Sequence, residues 1–329
     1  MLSYSDLIVK SRIFKLVSGD IDRGALGHCY LIVSTDKVAV EEFFSLVACA
    51  VYCKDGVCLT CAECSRVLSG NNVDITNVSP ASGKNYVVGD IEPIMSDVYK
   101  KAYSGGKKLY FIHDADKMKA DVQNKLLKIL EEPPKDVHFF LSTTTEGAIL
   151  DTVKSRSRLL YMDYFESRDI ASLLARRYPE VDLRRVEMSA NCCGGAIDKA
   201  EKLISDENFY ERYNAVFDMF RNVKKSADVI KYAKSSLFDK ENVSATLDMF
   251  EIVLRDVLEA AVGNSDFTMR DKKSEMERLG TEFSVAAISN IVDKVNLARK
   301  KIKANCAANV TGESLLYAVL EVKFKCQKL

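Results

Sequence analysis

Five short strand-like runs set the first half of this chain apart from the second: CYLIVS (29–34), VDITNVS (73–79), KLYFIH (108–113), VHFFLST (137–143) and RLLYM (158–162). Between them apolar residues recur at helical spacing over 38–52, 91–103 and 120–132, with a short turn near 146–151. Strands this continuously apolar are buried on both faces, and the intervening helices supply the cover. The pattern therefore predicts a mainly parallel sheet in an α/β core. The helix DVQNKLLKILEE places Val122, Leu126, Leu127, Ile129 and Leu130 on one stripe, and Pro133–Pro134 stops it.

The strand pattern ends at about 162. ESRDIASLLARRY, LRRVEMSANCCGGAIDKAEKLI and the amphipathic stretches 246–262, 284–302 and 313–324 all read as helix, with the polar run SDENFYERY (205–213) as a junction. Long loops are expected near 53–72, 80–90 and 264–281. The chain's 329 residues suffice for two or three domains. Lys+Arg and Asp+Glu both total 47, a balance that argues against a strongly basic nucleic-acid platform. The start LSYSDLIVKSR lacks an apolar signal-peptide core, and no apolar run approaches the ~20 residues of a membrane span, so a cytosolic location is expected.

In that compartment the ten cysteines should be thiols or metal ligands, and the sequons at Asn77, Asn242 and Asn309 chance matches. Cys53, Cys58, Cys61 and Cys64 form C-x4-C-x2-C-x2-C, a spacing that lets four thiolates surround one Zn2+. With no histidine nearby and no open ligand position, such a site is structural. The alternative is four thiols without metal. Cys49 lies one helical turn before Cys53 and reads as a core thiol of its helix, although it is a fifth candidate ligand. Cys192, Cys193, Cys306 and Cys326 are expected to be small buried residues.

CYLIVS running into a helix is also the junction where nucleotide-binding proteins place a phosphate loop. Set against G-x-x-x-x-G-K-[ST], this chain has Ser34 and Ala39 at the glycines, Val40 at the lysine and Glu41 at the hydroxyl. Valine cannot neutralise phosphate, and a carboxylate repels it. Lys37 lies three residues too early to substitute without a rebuilt loop. An ordinary strand-to-helix turn explains the junction alone equally well.

NKLLKILEEPPKDVHFFLSTTT (124–145) followed by ILDTVKSRSRLLYM (149–162) resembles the clamp-loader branch of the AAA+ proteins, as do SYSDLIVKSRIFKLV at the start and a cysteine knuckle after the first core helix. The likeness covers residues 1–200 and extends to the rest by its helical character. It implies an AAA+ core over 1–162 carrying a degenerate loop and the knuckle (53–64), a helical lid over 163–208 and a helical collar over 209–329. ATPase members of the branch carry an Asp-Glu pair where this chain has His113–Asp114, and a lid arginine where GAIDKA has Asp198. The resemblance thus implies a subunit without ATPase activity of its own.

The S-R-C triplet of the branch corresponds to Ser155-Arg156-Ser157, which implies that Arg156 reaches the γ-phosphate of ATP in a neighbouring subunit. Implied partners are ATPase subunits of the gamma/tau type and a delta subunit in a pentamer, the sliding clamp and primed DNA. A divergent ATP-hydrolysing subunit and a zinc-containing nucleic-acid-binding module are the alternatives.

Other candidates read as structural. Glu131 and Glu132 are adjacent on a helix end and point apart, so they do not form a catalytic pair. His28, His113 and His138 lack triad or ligand spacing. Arg158 reads as a structural neighbour of Arg156. Lys107, Lys108, Lys117, Lys119, Lys125 and Lys128 fit a solvated face better than a DNA-facing one.

Overall fold

The structure, a computed structural model, describes residues 4–81, 84–103, 106–265, 267–269 and 272–326. The chain divides into two compact units, Met1–Lys202 and Leu203–Leu329. In the first, helices α1 (Ser5–Lys10) and α2 (Arg12–Asp22) precede β1 (Cys29–Val33) and α3 (Lys37–Tyr52). There follow α4 (Ala62–Leu68), β2 (Ile75–Val78), α5 (Val88–Asp97), β3 (Lys108–Ile112), α6 (Ala120–Glu131), β4 (Val137–Thr143), α7 (Asp151–Lys154) and β5 (Arg158–Tyr161). Helices α8 (Ser167–Arg177), α9 (Leu183–Cys192) and α10 (Ile197–Ser205) complete the region.

The five described strands form one parallel sheet in the order β2-β3-β4-β1-β5. Because side chains alternate along a strand, each strand feeds both faces. Leu31, Tyr110, Phe139 and Leu141 pack with Ile91, Ile94 and the predicted α6 stripe. On the opposite face Tyr30 stacks on Phe140 with ring centroids 4.9 Å apart, and Phe44 of α3 stacks on Phe111 at 4.8 Å. All seven residues of β4 are buried, as expected for the central strand. The parallel α/β core is as predicted, but the edge strands β2 and β5 are not buried on both faces: β2 has no buried residue and β5 only Leu160.

Three helical boundaries depart from expectation. Helix α5 ends at Asp97 rather than 103: the chain turns, and the Tyr103 N–H goes to the Asp74 carboxylate at 2.7 Å. The loop expected over 53–72 contains α4. The span from 183 to 204 is split at Gly194 and Gly195, both at positive φ; a side chain on Gly195 would meet the Phe165 carbonyl at 2.8 Å.

The described elements of the second unit are helical: α11 (Phe209–Asn222), α12 (Ser226–Ala233), α13 (Val243–Ala261), α14 (Lys273–Glu282), α15 (Val285–Lys303) and α16 (Ala308–Cys326), with a short 3-10 turn at Ser236–Phe238. Helix α14 falls where a loop was expected. Its apolar residues are few, but Met276 and Leu279 share a face and are buried. Gly280 lies so close to Ala260 that a Cβ would come within 2.6 Å of its carbonyl carbon. Asp256 is fully buried and accepts from the Tyr213 hydroxyl at 2.7 Å and the Thr268 N–H at 3.0 Å. Lys323 donates to the carbonyls of Phe220 and Val223, satisfying the end of α11.

Candidate functional site

Strand β1 ends at Val33 and α3 begins at Lys37, so Ser34, Thr35 and Asp36 form the whole connection. A phosphate nest uses residues of positive φ to turn successive N–H groups toward one point. No residue from 34 to 41 has positive φ. Instead the Ser34 N–H extends the sheet ladder to the Thr143 carbonyl at 2.9 Å. Ala39 and Val40 are buried in the core, and Glu41 is exposed.

Asp36 is the N-cap of α3. Its carboxylate caps α3 by accepting from the Ala39 N–H at 2.9 Å. It also accepts from the Ile197 and Asp198 N–H groups at the start of α10, 161 residues away in sequence for Ile197. The residue is 4% exposed. Burial pushes its carboxyl above the usual range, against the pull of the N–H donors. A Ser-Thr-Asp run before a helical pattern is an N-cap signature, but nothing local to it points to α10.

Across the junction, the Lys37 ammonium meets Asp114 Oδ2 at 2.7 Å and Oδ1 at 2.9 Å, and Lys117 reaches the same carboxylate at 2.8 Å. Lys37 therefore reaches the residue that follows the end of β3. His113 packs edge-on to Phe44 with centroids 5.1 Å apart, and burial keeps its imidazole below its usual pKa. A cavity of about 90 Å³ lies between Ser34, Lys37, Val40, His113, Asp114 and Thr144, and one of about 210 Å³ shares Glu41, Ser79 and His113 with it. Ligand pockets commonly run to ~300–1,000 Å³.

Arg156 lies in the turn from α7 to β5 and is partly exposed. Its Nη1 donates to the Thr152 carbonyl at 3.0 Å and lies 3.4 Å from Ser155 Oγ. Its Nη2 meets Glu131 Oε1, at the last residue of α6, at 2.8 Å. Arg158 turns elsewhere, pairing with buried Asp20, which also accepts from the Tyr30 hydroxyl at 3.0 Å. The two arginines thus have separate local partners.

The Cys53, Cys58, Cys61 and Cys64 sulfurs all lie within 4.8 Å of one another. The separations Cys53–Cys58, Cys61–Cys53 and Cys58–Cys64 are 3.5, 3.7 and 3.9 Å. A tetrahedral ion with metal–sulfur bonds near ~2.3 Å needs sulfurs about 3.8 Å apart, so the donor set fits a thiolate-bound ion. Backbone N–H groups of Cys61 and Cys64 point at the sulfurs of Cys58 and Cys61, each at 3.4 Å. Cys49 packs beside Cys53 and Cys64 but lies outside the group of four.

Elsewhere, Lys108 is buried and pairs with Asp97, while Lys107, Lys117 and Lys125 pair with Asp136, Asp114 and Glu92. These lysines do not form one free basic face. Cys192 and Cys193 are buried, but Cys306 is exposed in the α15–α16 turn, contrary to expectation. The Cys326 side chain lies outside the described residues.

Three expectations follow from this geometry. Asp36→Ala should cost about 1–3 kcal/mol and accelerate amide exchange at Ile197 and Asp198 more than in β4; unchanged protection there would refute the tether. For Asp114, burial pushes the carboxyl up, but hydrogen bonds from Lys117 and Lys37 outweigh it and leave the carboxyl below its usual range. Its contribution to stability is present above the unfolded pKa of about 3.9 and lost as pH falls through the folded value. Asp114→Asn should therefore flatten that part of the acid decline in urea-unfolding curves. Finally, Co2+ titration of the reduced protein should give a tetrahedral thiolate spectrum at about one ion per chain, and Cys64→Ser should weaken it.

Comparison with known proteins gives the family of the chain. The family described as DNA polymerase III, delta subunit, matches residues 9–166, and its C-terminal counterpart matches 207–311. The DNA polymerase III subunit delta-prime of Bacillus subtilis (strain 168) is 27% identical over 312 residues, covering 92% of this chain and 93% of that one. The Escherichia coli (strain K12) delta-prime subunit is 25% identical over 77% of this chain and 75% of its own length. The tau/gamma subunit of Haemophilus influenzae (strain ATCC 51907 / DSM 11121 / KW20 / Rd) is 28% identical over 53% of this chain, but only 25% of that protein. Matched over both its sheet-bearing and its helical regions, the chain belongs to the delta-prime family of DNA polymerase III subunits.

Proposed function

We propose that this protein is a non-ATPase subunit of a DNA polymerase III clamp loader, acting in a ring with gamma/tau-type ATPase subunits and a delta subunit. The observation that carries the first half of this reading is the carboxylate-capped junction. The Asp36 carboxylate already takes the Ala39 N–H at the start of α3, and the Lys37–Asp114 pair spans the connection after β1. An ATPase needs one acid near Mg2+ and another to polarise the attacking water, and His113–Asp114 supplies neither in that form.

The catalytic contribution of this chain would be Arg156, offered in trans to ATP bound by a neighbouring ATPase subunit. A planar, permanently charged guanidinium in a surface turn suits stabilisation of developing phosphoryl charge. The helices over 163–208 would serve as the lid and those over 209–329 as the collar joining the ring. The assembly would then seat the sliding clamp on primed DNA in the cytoplasm. Cys53, Cys58, Cys61 and Cys64 would hold a structural Zn2+, which supplies fold energy to the knuckle and no chemistry to the reaction.

The test is DNA- and clamp-stimulated ATP turnover by the reconstituted loader, with assembly followed by gel filtration. Arg156→Ala should lower stimulated turnover by about tenfold or more while the ring stays intact. Full turnover in an intact ring would remove Arg156 from the reaction.

A further inference from the structure

We infer that Glu131 is the positioning residue for Arg156, an inference that rests on the trans role of Arg156 given above. Glu131 is the last residue of α6, next to Glu132 and just before Pro133–Pro134. Carboxylates are misplaced at a helix C-terminus, where the carbonyl ends of the backbone dipoles favour cations. A cation brought from another element relieves that conflict, and the Arg156 guanidinium does so through Nη2 at 2.8 Å. On its other terminal nitrogen it is held by the Thr152 carbonyl at 3.0 Å. Two elements, α6 and α7, thereby hold the guanidinium plane between them.

A free arginine side chain samples many rotamers, and fixing one at the moment of phosphoryl transfer costs entropy. The Glu131 carboxylate meets that cost before the ATP-bearing neighbour arrives. It is half exposed, so the pair is weak enough to keep the arginine available to a phosphate of higher charge. The proline pair after Glu132 limits the backbone freedom of the segment that holds the carboxylate. Glu131 acts only through Arg156 and touches no substrate.

The test is a double-mutant cycle in the reconstituted loader, again with gel filtration to confirm an intact ring. Glu131→Ala should lower the kcat of stimulated ATP hydrolysis about fivefold and leave KM for ATP unchanged. Glu131→Gln, which retains an acceptor for Nη2, should recover part of the loss. In an Arg156→Ala background, Glu131→Ala should have no further effect. An equal loss in that background would make Glu131 a structural residue, and increased turnover in Glu131→Ala would make it a restraint that holds the arginine back. Either result overturns the proposal while the role of Arg156 stands. If Arg156→Ala itself leaves turnover unchanged, both readings fall together.

Discussion

A buried carboxylate, Asp36, ties distant parts of the first unit together. Asp36 accepts N–H groups from the starts of α3 and α10 and so joins the helix that follows β1 to one that begins 161 residues later for Ile197. Helix N-termini carry unsatisfied donors and a partial positive charge, and phosphate-binding proteins present them to a ligand. Here the Asp36 carboxylate meets both sets of donors and ties the start of α10 to the strand–helix junction.

The same economy appears at the end of β3. Asp114 takes two lysines, and Lys37 among them spans the mouth of the junction. The arginine-bearing turn has the opposite character: Arg156 is partly exposed, held by single contacts from α6 and α7, and lies beyond the last residue of α7. Asp114 is thus tightly paired within the unit, whereas the Arg156 guanidinium is lightly held.

The cysteine knuckle is stabilised by other means. Residues 53–64 have few apolar side chains to bury, and the four sulfurs gather at separations that match one tetrahedral ion. Local spacing and a metal can shape such an excursion, whereas the helices of the second unit are shaped by buried contacts such as Gly280 against Ala260 and the Asp256–Tyr213 bond.

Much of this was legible in the linear order of residues. Continuous apolar runs determine buried strands, Pro133–Pro134 ends α6, and the C-x4-C-x2-C-x2-C spacing brings four thiols to one point, because each effect acts over a few residues. Helix α14 was not legible, since only Met276 and Leu279 mark its buried face and its Gly280 makes sense only against α13. The mismatch of Ser34, Ala39, Val40 and Glu41 to a phosphate-loop pattern was readable, but the contacts of Asp36 and Lys37 at that junction were not. Asp36 to Ile197, Lys37 to Asp114 and Arg156 to Glu131 join residues far apart in the chain. Electrostatic pairing depends on distance in space, which local sequence does not encode, so only the tertiary structure decided them.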